Sequence, residues 1–221
     1  MNLTVKIGGH LLDKGEEAFR NYGNQIKALQ QMGHKVAVVV GGGERAREWI
    51  RVARNLGVHE STLDEIGILA SRLNAYVQIA ALGSNVYPHP PTSIQEFDTA
   101  WSCSQSVVLG GLTPGQSTTA VATIVAERTS ASRILVLTNV DGVYSHKPGS
   151  KQARLLKKVK AEELGKIVLD NSAYAGTYDL LDHVALKILQ RSHIPAFIVN
   201  GEKKNIIVDS LKENLGTEVI Y

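Results

Sequence analysis

Lys6 stands inside a short apolar segment, residues 3–7, and directly precedes the pair Gly8-Gly9. A lysine so placed is either an edge residue whose stem lies along apolar surface with its head in water, or a cation carried to the end of a strand. The second reading has a chemical use. Phosphoryl transfer spreads negative charge over the oxygens of the migrating group, and fixed cations stabilise that charge. Two further glycine-rich segments also follow apolar runs. Gly41-Gly42-Gly43 follows residues 36–40, and Gly110-Gly111-Leu112-Thr113-Pro114-Gly115-Gln116-Ser117-Thr118 follows residues 107–109. Glycine lets backbone N–H groups approach a phosphate closely, and a following helix N-terminus adds partial positive charge. One such turn needs no function beyond the turn itself. Three of them at equivalent strand ends point to an anion-binding edge.

Neither of two familiar nucleotide motifs is present. No G-x-G-x-x-G follows a strand. The third segment nearly spells a P-loop, but Gln116 occupies the place of the phosphate-binding lysine and cannot supply its charge. That loop can still hold an anion through its amides and the hydroxyls of Ser117, Thr118 and Thr119. Arg47, just past the second glycine segment, is either a solvated helix residue or a fork for phosphate oxygens. Asp64 reads as a first-turn acid that offsets a helix dipole, with ribose hydroxyls as its functional alternative. Asp141-Gly142 is a turn pair with its own structural reason, and Tyr144 packs either in a core or against a base. Lys187, on a helix, reads as solvated.

These residues need a scaffold. Strands are expected over 3–7, 36–40, 107–109, 134–137 and 196–199, with helices over 16–32, 45–56, 63–82, 118–128, 161–167 and 182–191. Continuous apolar strands separated by helices argue for an α/β fold with a mostly parallel sheet covered on both faces. In such sheets ligands sit beyond the carboxyl ends of the strands. Gly33 marks a helix end, and Asp182 can cap the last helix. Tyr87-Pro88-His89-Pro90-Pro91 reads as a surface connection, because proline removes amide donors. The loop over 142–152 softly divides an N-terminal lobe, about 1–130, from a C-terminal lobe, about 131–221, within one sheet.

Composition sets the outer bounds. The 221 residues are 43% hydrophobic, enough for a sizeable core. The 24 basic and 21 acidic residues are interspersed, which argues against a nucleic-acid binder. No apolar run approaches the ~18–20 residues of a membrane helix, and the start lacks a signal peptide's apolar region, so a cytoplasmic protein is expected. Cys103, the single cysteine, is expected to be a small packing residue.

Together these segments resemble the amino-acid-kinase superfamily. The matching pieces are Lys6-Ile7-Gly8-Gly9, Val39-Val40-Gly41-Gly42-Gly43 with Ala46-Arg47, and Thr138-Asn139-Val140-Asp141-Gly142-Val143-Tyr144. Leu63-Asp64-Glu65-Ile66-Gly67-Ile68, Ser71-Arg72-Leu73-Asn74-Ala75, the stretch Gly110 to Thr118, and Ala175 to Asp182 look like its archaeal UMP kinase branch. The resemblance implies a three-layer α/β/α sandwich, ATP as donor, UMP as acceptor, and Mg²⁺ carried by the ATP phosphates with no dedicated protein metal site. By position, Gly42, Asp64, Leu112, Thr113, Pro114, Gly115, Gln116, Ser117 and Thr118 would hold UMP. Gly9, His10, Gly43, Arg47, Thr138, Asn139 and Tyr144 would hold ATP. Lys6 and Lys187 would be the catalytic cations. A homohexamer built as a trimer of dimers is likewise implied. The chain departs from the pattern at three places: His10 replaces a small serine, Thr119 replaces an aspartate that orients the lysines, and Lys147 replaces an aspartate before Pro148. Two alternatives remain open: a same-fold kinase for another small phosphorylated acceptor such as isopentenyl phosphate, and a non-catalytic nucleotide-binding homologue.

Overall fold

The computed structural model describes residues 1–146, 150, 152–171 and 181–221, and only the backbone of 168–171. The expectations that fall on Lys147, Pro148 and residues 175–180 lie outside the described residues.

Five strands run parallel: β1 (Asn2–Ile7), β2 (Lys35–Val40), β3 (Ser106–Leu109), β4 (Arg133–Thr138) and β6 (Ala196–Asn200). β7 (Thr217–Ile220) pairs antiparallel to β6, and β5 (Lys158–Lys160) closes the far edge. The sheet order is β3-β2-β1-β4-β6-β7-β5. Pleating sends alternate side chains to opposite faces. Leu3, Val5 and Ile7 of β1 therefore join one core with Val36, Val38 and Val40. The other core contains Val39 and Val136, the register partners of Lys6.

Helices cover both faces. α1 (Gly9–Leu12), α2 (Glu16–Gln31), α4 (Glu60–Leu82) and α9 (Ile206–Lys212) supply the first core. α5 (Ile94–Cys103), α6 (Thr118–Arg128), α7 (Ala161–Asn171) and α8 (His183–Ser192) supply the second. α3 (Gly43–Asn55) lies on α4. The result is the three-layer sandwich expected from the apolar strands.

The helix ends follow local chemistry. α2 stops in a left-handed Gly33, φ 80°, where Gly33 N–H donates to Gln30 O at 2.9 Å and His34 N–H to Leu29 O at 3.0 Å. Asp182 caps α8 by accepting from Ala185 N–H at 2.8 Å.

Several elements depart from the sequence reading. α4 begins at Glu60, not at residue 63, so Asp64 lies in its second turn and dipole compensation at the first turn no longer accounts for it. α1, α9, β5 and β7 are too short to show a periodic signal. α5 follows a capping pair that the proline run obscured: Ser93 Oγ accepts from Glu96 N–H at 3.1 Å. The proline connection is only partly superficial, since His89 is exposed while Pro90 and Pro91 are buried. Cys103 is exposed at the end of α5 rather than packed inside.

Thr217 stitches the C-terminal strands to the loop after β4. Its fully buried hydroxyl accepts from Val143 N–H at 2.8 Å and donates to Leu156 O. Thr217→Val keeps the shape and strands both backbone groups, so it is expected to cost roughly 2–4 kcal/mol. Urea unfolding measures this as a lower midpoint with an unchanged slope.

Candidate active site

The strand register brings the glycine turns to one edge. Ile7 pairs with Val40 and Leu137, Val39 with Leu109, and Thr138 with Asn200. Because these strands are parallel, the turns that follow them leave together. The chain runs outward from β1 through β2 to β3 and then crosses back to β4 on the other side of β1, a reversal of strand order of the kind at which open α/β sheets form a crevice.

The turns after β1 and β2 meet backbone to backbone. Gly41 N–H donates to Ile7 O at 3.0 Å, and Gly8 N–H to Leu137 O at 3.1 Å. A Cβ on Gly41 would lie 2.6 Å from Gly9 N, and one on Gly9 would collide with Gly43 N. Only glycine permits this approach. On the far side, Gly201 N–H donates to Thr138 O at 2.7 Å, and the Tyr22 hydroxyl donates to Gly201 O at 2.9 Å. Burial raises the Tyr22 hydroxyl pKa to about 12, so it stays a donor.

Lys6 is 7% exposed, just below this edge. His10, in α1, is half-buried, and its Nε2 is buried without a hydrogen-bond partner among the described residues. Burial lowers its pKa below 6.5, and the positive charges of Lys6 and then Arg47 lower it further, against the opposing Asp13 and Glu202. Lys6, His10 and Arg47 thus share one electrostatic neighbourhood, which chain order alone does not impose. Arg47 is exposed and pairs with Glu44 at 3.3 Å.

The structure adds residues that the sequence reading missed. Asp13 accepts from Glu44 N–H at 3.1 and 2.9 Å, so its carboxylate occupies the start of α3. Asn74 donates to Gly41 O at 2.8 Å and Gly42 O at 3.1 Å, tying the second glycine turn to α4. After β4, Asp141 pairs with Lys203 at 2.7 Å and accepts from Asn200 Nδ2 at 3.1 Å. Those two bonds, Lys203 foremost, hold its carboxyl below the usual range. No motif spacing links residues so far apart in the chain.

The remaining expected residues fall as follows. Thr138 is buried and Asn139 exposed at the end of β4, and Tyr144 is half-buried in a bridge to Leu155. Asp64 accepts from Gly115 N–H at 2.8 Å, which joins it to the third glycine loop. Leu112, Gln116 and Thr118 are half-buried, and Thr113, Pro114, Gly115 and Ser117 are exposed. Several amides of this loop are already engaged: Gly111 by Ser71, Gly115 by Asp64 and Gln116 by Thr113 O. Ser117 caps α6, accepting from Thr119 and Ala120 N–H at 3.1 and 3.0 Å, which leaves its hydroxyl hydrogen to donate. Lys187 is exposed in the second turn of α8.

Comparison with known proteins places this edge in a family. The sequence model of the amino acid kinase family matches residues 2–200. The chain belongs to the amino acid kinase family. A uridylate kinase of Sulfurisphaera tokodaii is 43% identical over 212 residues, covering 95% of this chain and 94% of the relative. One from Hyperthermus butylicus is 41% identical over 218 residues, covering 97% and 96%. The crystal structure of the Archaeoglobus fulgidus uridylate kinase superposes with a TM-score of 0.89 at 35% identity, covering 99% of this chain and 100% of that one. Within the amino acid kinase fold, the Lys6 cation and the paired glycine turns form a cradle suited to polyanions.

The depressed His10 pKa has a consequence for stability. Below 6.5 the unfolded chain takes up a proton that folded His10 resists. Stability is therefore lost as pH falls from 6.5 toward the folded value, and the loss is complete below it. His10→Asn removes this contribution, so its urea midpoint is expected to fall less than that of the wild type between about pH 7.5 and about pH 5.5.

Proposed function

We propose that this chain transfers the γ-phosphoryl group of ATP to UMP, giving UDP and ADP. The observation that carries this reading is the edge itself: parallel strand ends in register, glycine turns packed together above them, and the Lys6 cation buried beneath. Full-length similarity to proteins named uridylate kinase supports UMP as the acceptor.

The N-terminal lobe takes the acceptor, and the C-terminal lobe, together with the glycine turns of the N-terminal lobe, takes the nucleotide donor. UMP lies along Gly42, Asp64 and the loop from Leu112 to Thr118. Asp64 already reaches this loop with one carboxylate oxygen, and the other is left to accept from a ribose hydroxyl. ATP lies along Gly9, His10, Gly43, Arg47, Thr138, Asn139 and Tyr144. The shared field of Lys6, His10 and Arg47 supports phosphates at the boundary between the two. The hydroxyl and amide groups of the acceptor loop favour a nucleotide over an isoprenoid chain, which needs an apolar sleeve.

An oxygen of the UMP α-phosphate attacks the γ-phosphorus in line. The new P–O bond forms as the bond to the β-phosphate oxygen breaks, and ADP departs. A phosphate oxygen is already ionised near neutral pH, so the step needs no strong general base. The chain contributes positioning and charge neutralisation. Lys6 neutralises the migrating group, Lys187 serves as a second cation, and the glycine-turn amides hold the flanking phosphates. The donors at this edge are ammonium, guanidinium, imidazole and amide groups, a set that fits phosphate oxygens. Mg²⁺ carried by the ATP phosphates would supply further charge neutralisation.

The assembly is a homohexamer built from dimers. An apolar groove of about 510 Å³ between α3 and α4 supports self-association, because Trp49 is 62% and Leu56 78% exposed there and such patches mark contact surfaces. No described helix is long and apolar enough to cross a membrane. We place the enzyme in the cytoplasm, in pyrimidine nucleotide synthesis.

Lys6→Met keeps the apolar stem and removes the charge. It is expected to cut turnover roughly 10²–10³-fold or more, with an unchanged far-UV circular dichroism spectrum. A coupled assay of ADP release with UMP, ATP and Mg²⁺ measures this, and near-normal turnover would remove Lys6 from the mechanism.

A further inference from the structure

Arg72 has no role in the transfer described above, yet it holds the entry to the acceptor loop. It lies on α4, half-buried. Its Nε donates to Gly111 O at 3.1 Å, and its Nη2 donates to Leu112 O at 3.3 Å and Thr92 O at 3.2 Å. The neighbouring Ser71 Oγ accepts from Gly111 N–H at 2.7 Å and donates to Ile68 O at 2.7 Å. Both backbone polar groups of Gly111 therefore end on two consecutive residues of one helix. A Cβ on Gly110 would lie 2.6 Å from Ser71 Oγ, so the loop is pressed against α4 at its start.

A guanidinium suits this task. Its donors form a rigid planar fork, and hydrogen bonds from a charged donor are stronger than neutral ones. A lysine is a point charge on a flexible stem and cannot reproduce the three directions. The third bond extends the clamp to a second segment. Thr92 is itself held by Glu96, whose carboxylate accepts from Thr92 N–H at 2.7 Å and from its hydroxyl at 2.8 Å. Arg72 thus fastens two loops to the long helix that also carries Asp64 and Asn74.

We propose that Arg72 is a positioning residue for the phosphate acceptor, fixing the Gly111–Leu112 end of the loop against α4 so that the following residues meet UMP in one geometry. This rests on the UMP reading given above. Arg72 touches no reacting atom, so its loss acts on acceptor binding rather than on the chemical step.

The test compares Arg72→Met and Arg72→Lys with the wild type in steady-state kinetics and in amide hydrogen exchange without nucleotide. Arg72→Met is expected to raise the KM for UMP about tenfold or more, as loss of charge-assisted hydrogen bonds implies. The KM for ATP and kcat at saturating UMP should stay within about twofold. Arg72→Lys should recover part of the UMP affinity. Exchange should quicken in Arg72→Met at the loop amides of residues 111–116 and not in β1, β2 or β4. An unchanged KM for UMP overturns the proposal, and so do equal losses in kcat and both KM values with a general rise in exchange, which mark a purely structural role. A wild-type protein inert toward UMP sinks the functional reading and this role with it, while the exchange experiment still reports whether Arg72 clamps the loop.

Discussion

The turn after β1 and the turn after β2 touch through their main chains, with no space between them for even one methyl group. Much of the site depends on that contact. It brings Lys6, at the end of one strand, into the same field as Arg47, at the start of the helix after the other. It also carries the amides of both turns to one place. A side chain at Gly9 or Gly41 would wedge the turns apart and disperse the charge they gather.

Concentrating cations at the end of an apolar sheet works against folding. Lys6 is buried in β1 between two apolar strands, and burying a charge costs free energy unless it is paired. Burial and then the nearby positive charges lower the His10 pKa, and Asp13 and Glu202 partly balance the local positive charge. A polyphosphate bound at this edge would add negative charge beside these cations.

α4 provides the rigidity that these turns lack. It carries Asn74 against the second glycine turn, Ser71 and Arg72 against the start of the third loop, and Asp64 against its tip. A helix of 23 residues can do this because positions three and four apart share a face. The acceptor loop and the second glycine turn are therefore positioned by one element, though 67 to 77 positions separate their residues in the chain.

Elements with strong local signals were legible from the sequence. The five parallel strands read as apolar runs, and helices such as α2 and α8 showed an end signal, Gly33 after one and Asp182 before the other. Elements below about two turns, and the three-residue strand β5, carry too little pattern to register. The lone cysteine was misplaced because residue type does not report which face of a helix reaches solvent.

The family came from the resemblance of several segments, Thr138 to Tyr144 among them, whereas Lys6 before the first of three glycine-rich segments after strands was enough to suggest an anion-binding edge. Residue type and spacing determine that much, because turn geometry and strand burial are local. Asp13, Asn74, Arg72 and Asn200 emerged only in three dimensions. Each acts on a backbone group or side chain that is distant in sequence, from 20 residues between Arg72 and Thr92 to 59 between Asn200 and Asp141. A hydrogen bond leaves no periodicity in the chain; parallel pairing and helix packing decide which donor meets which acceptor.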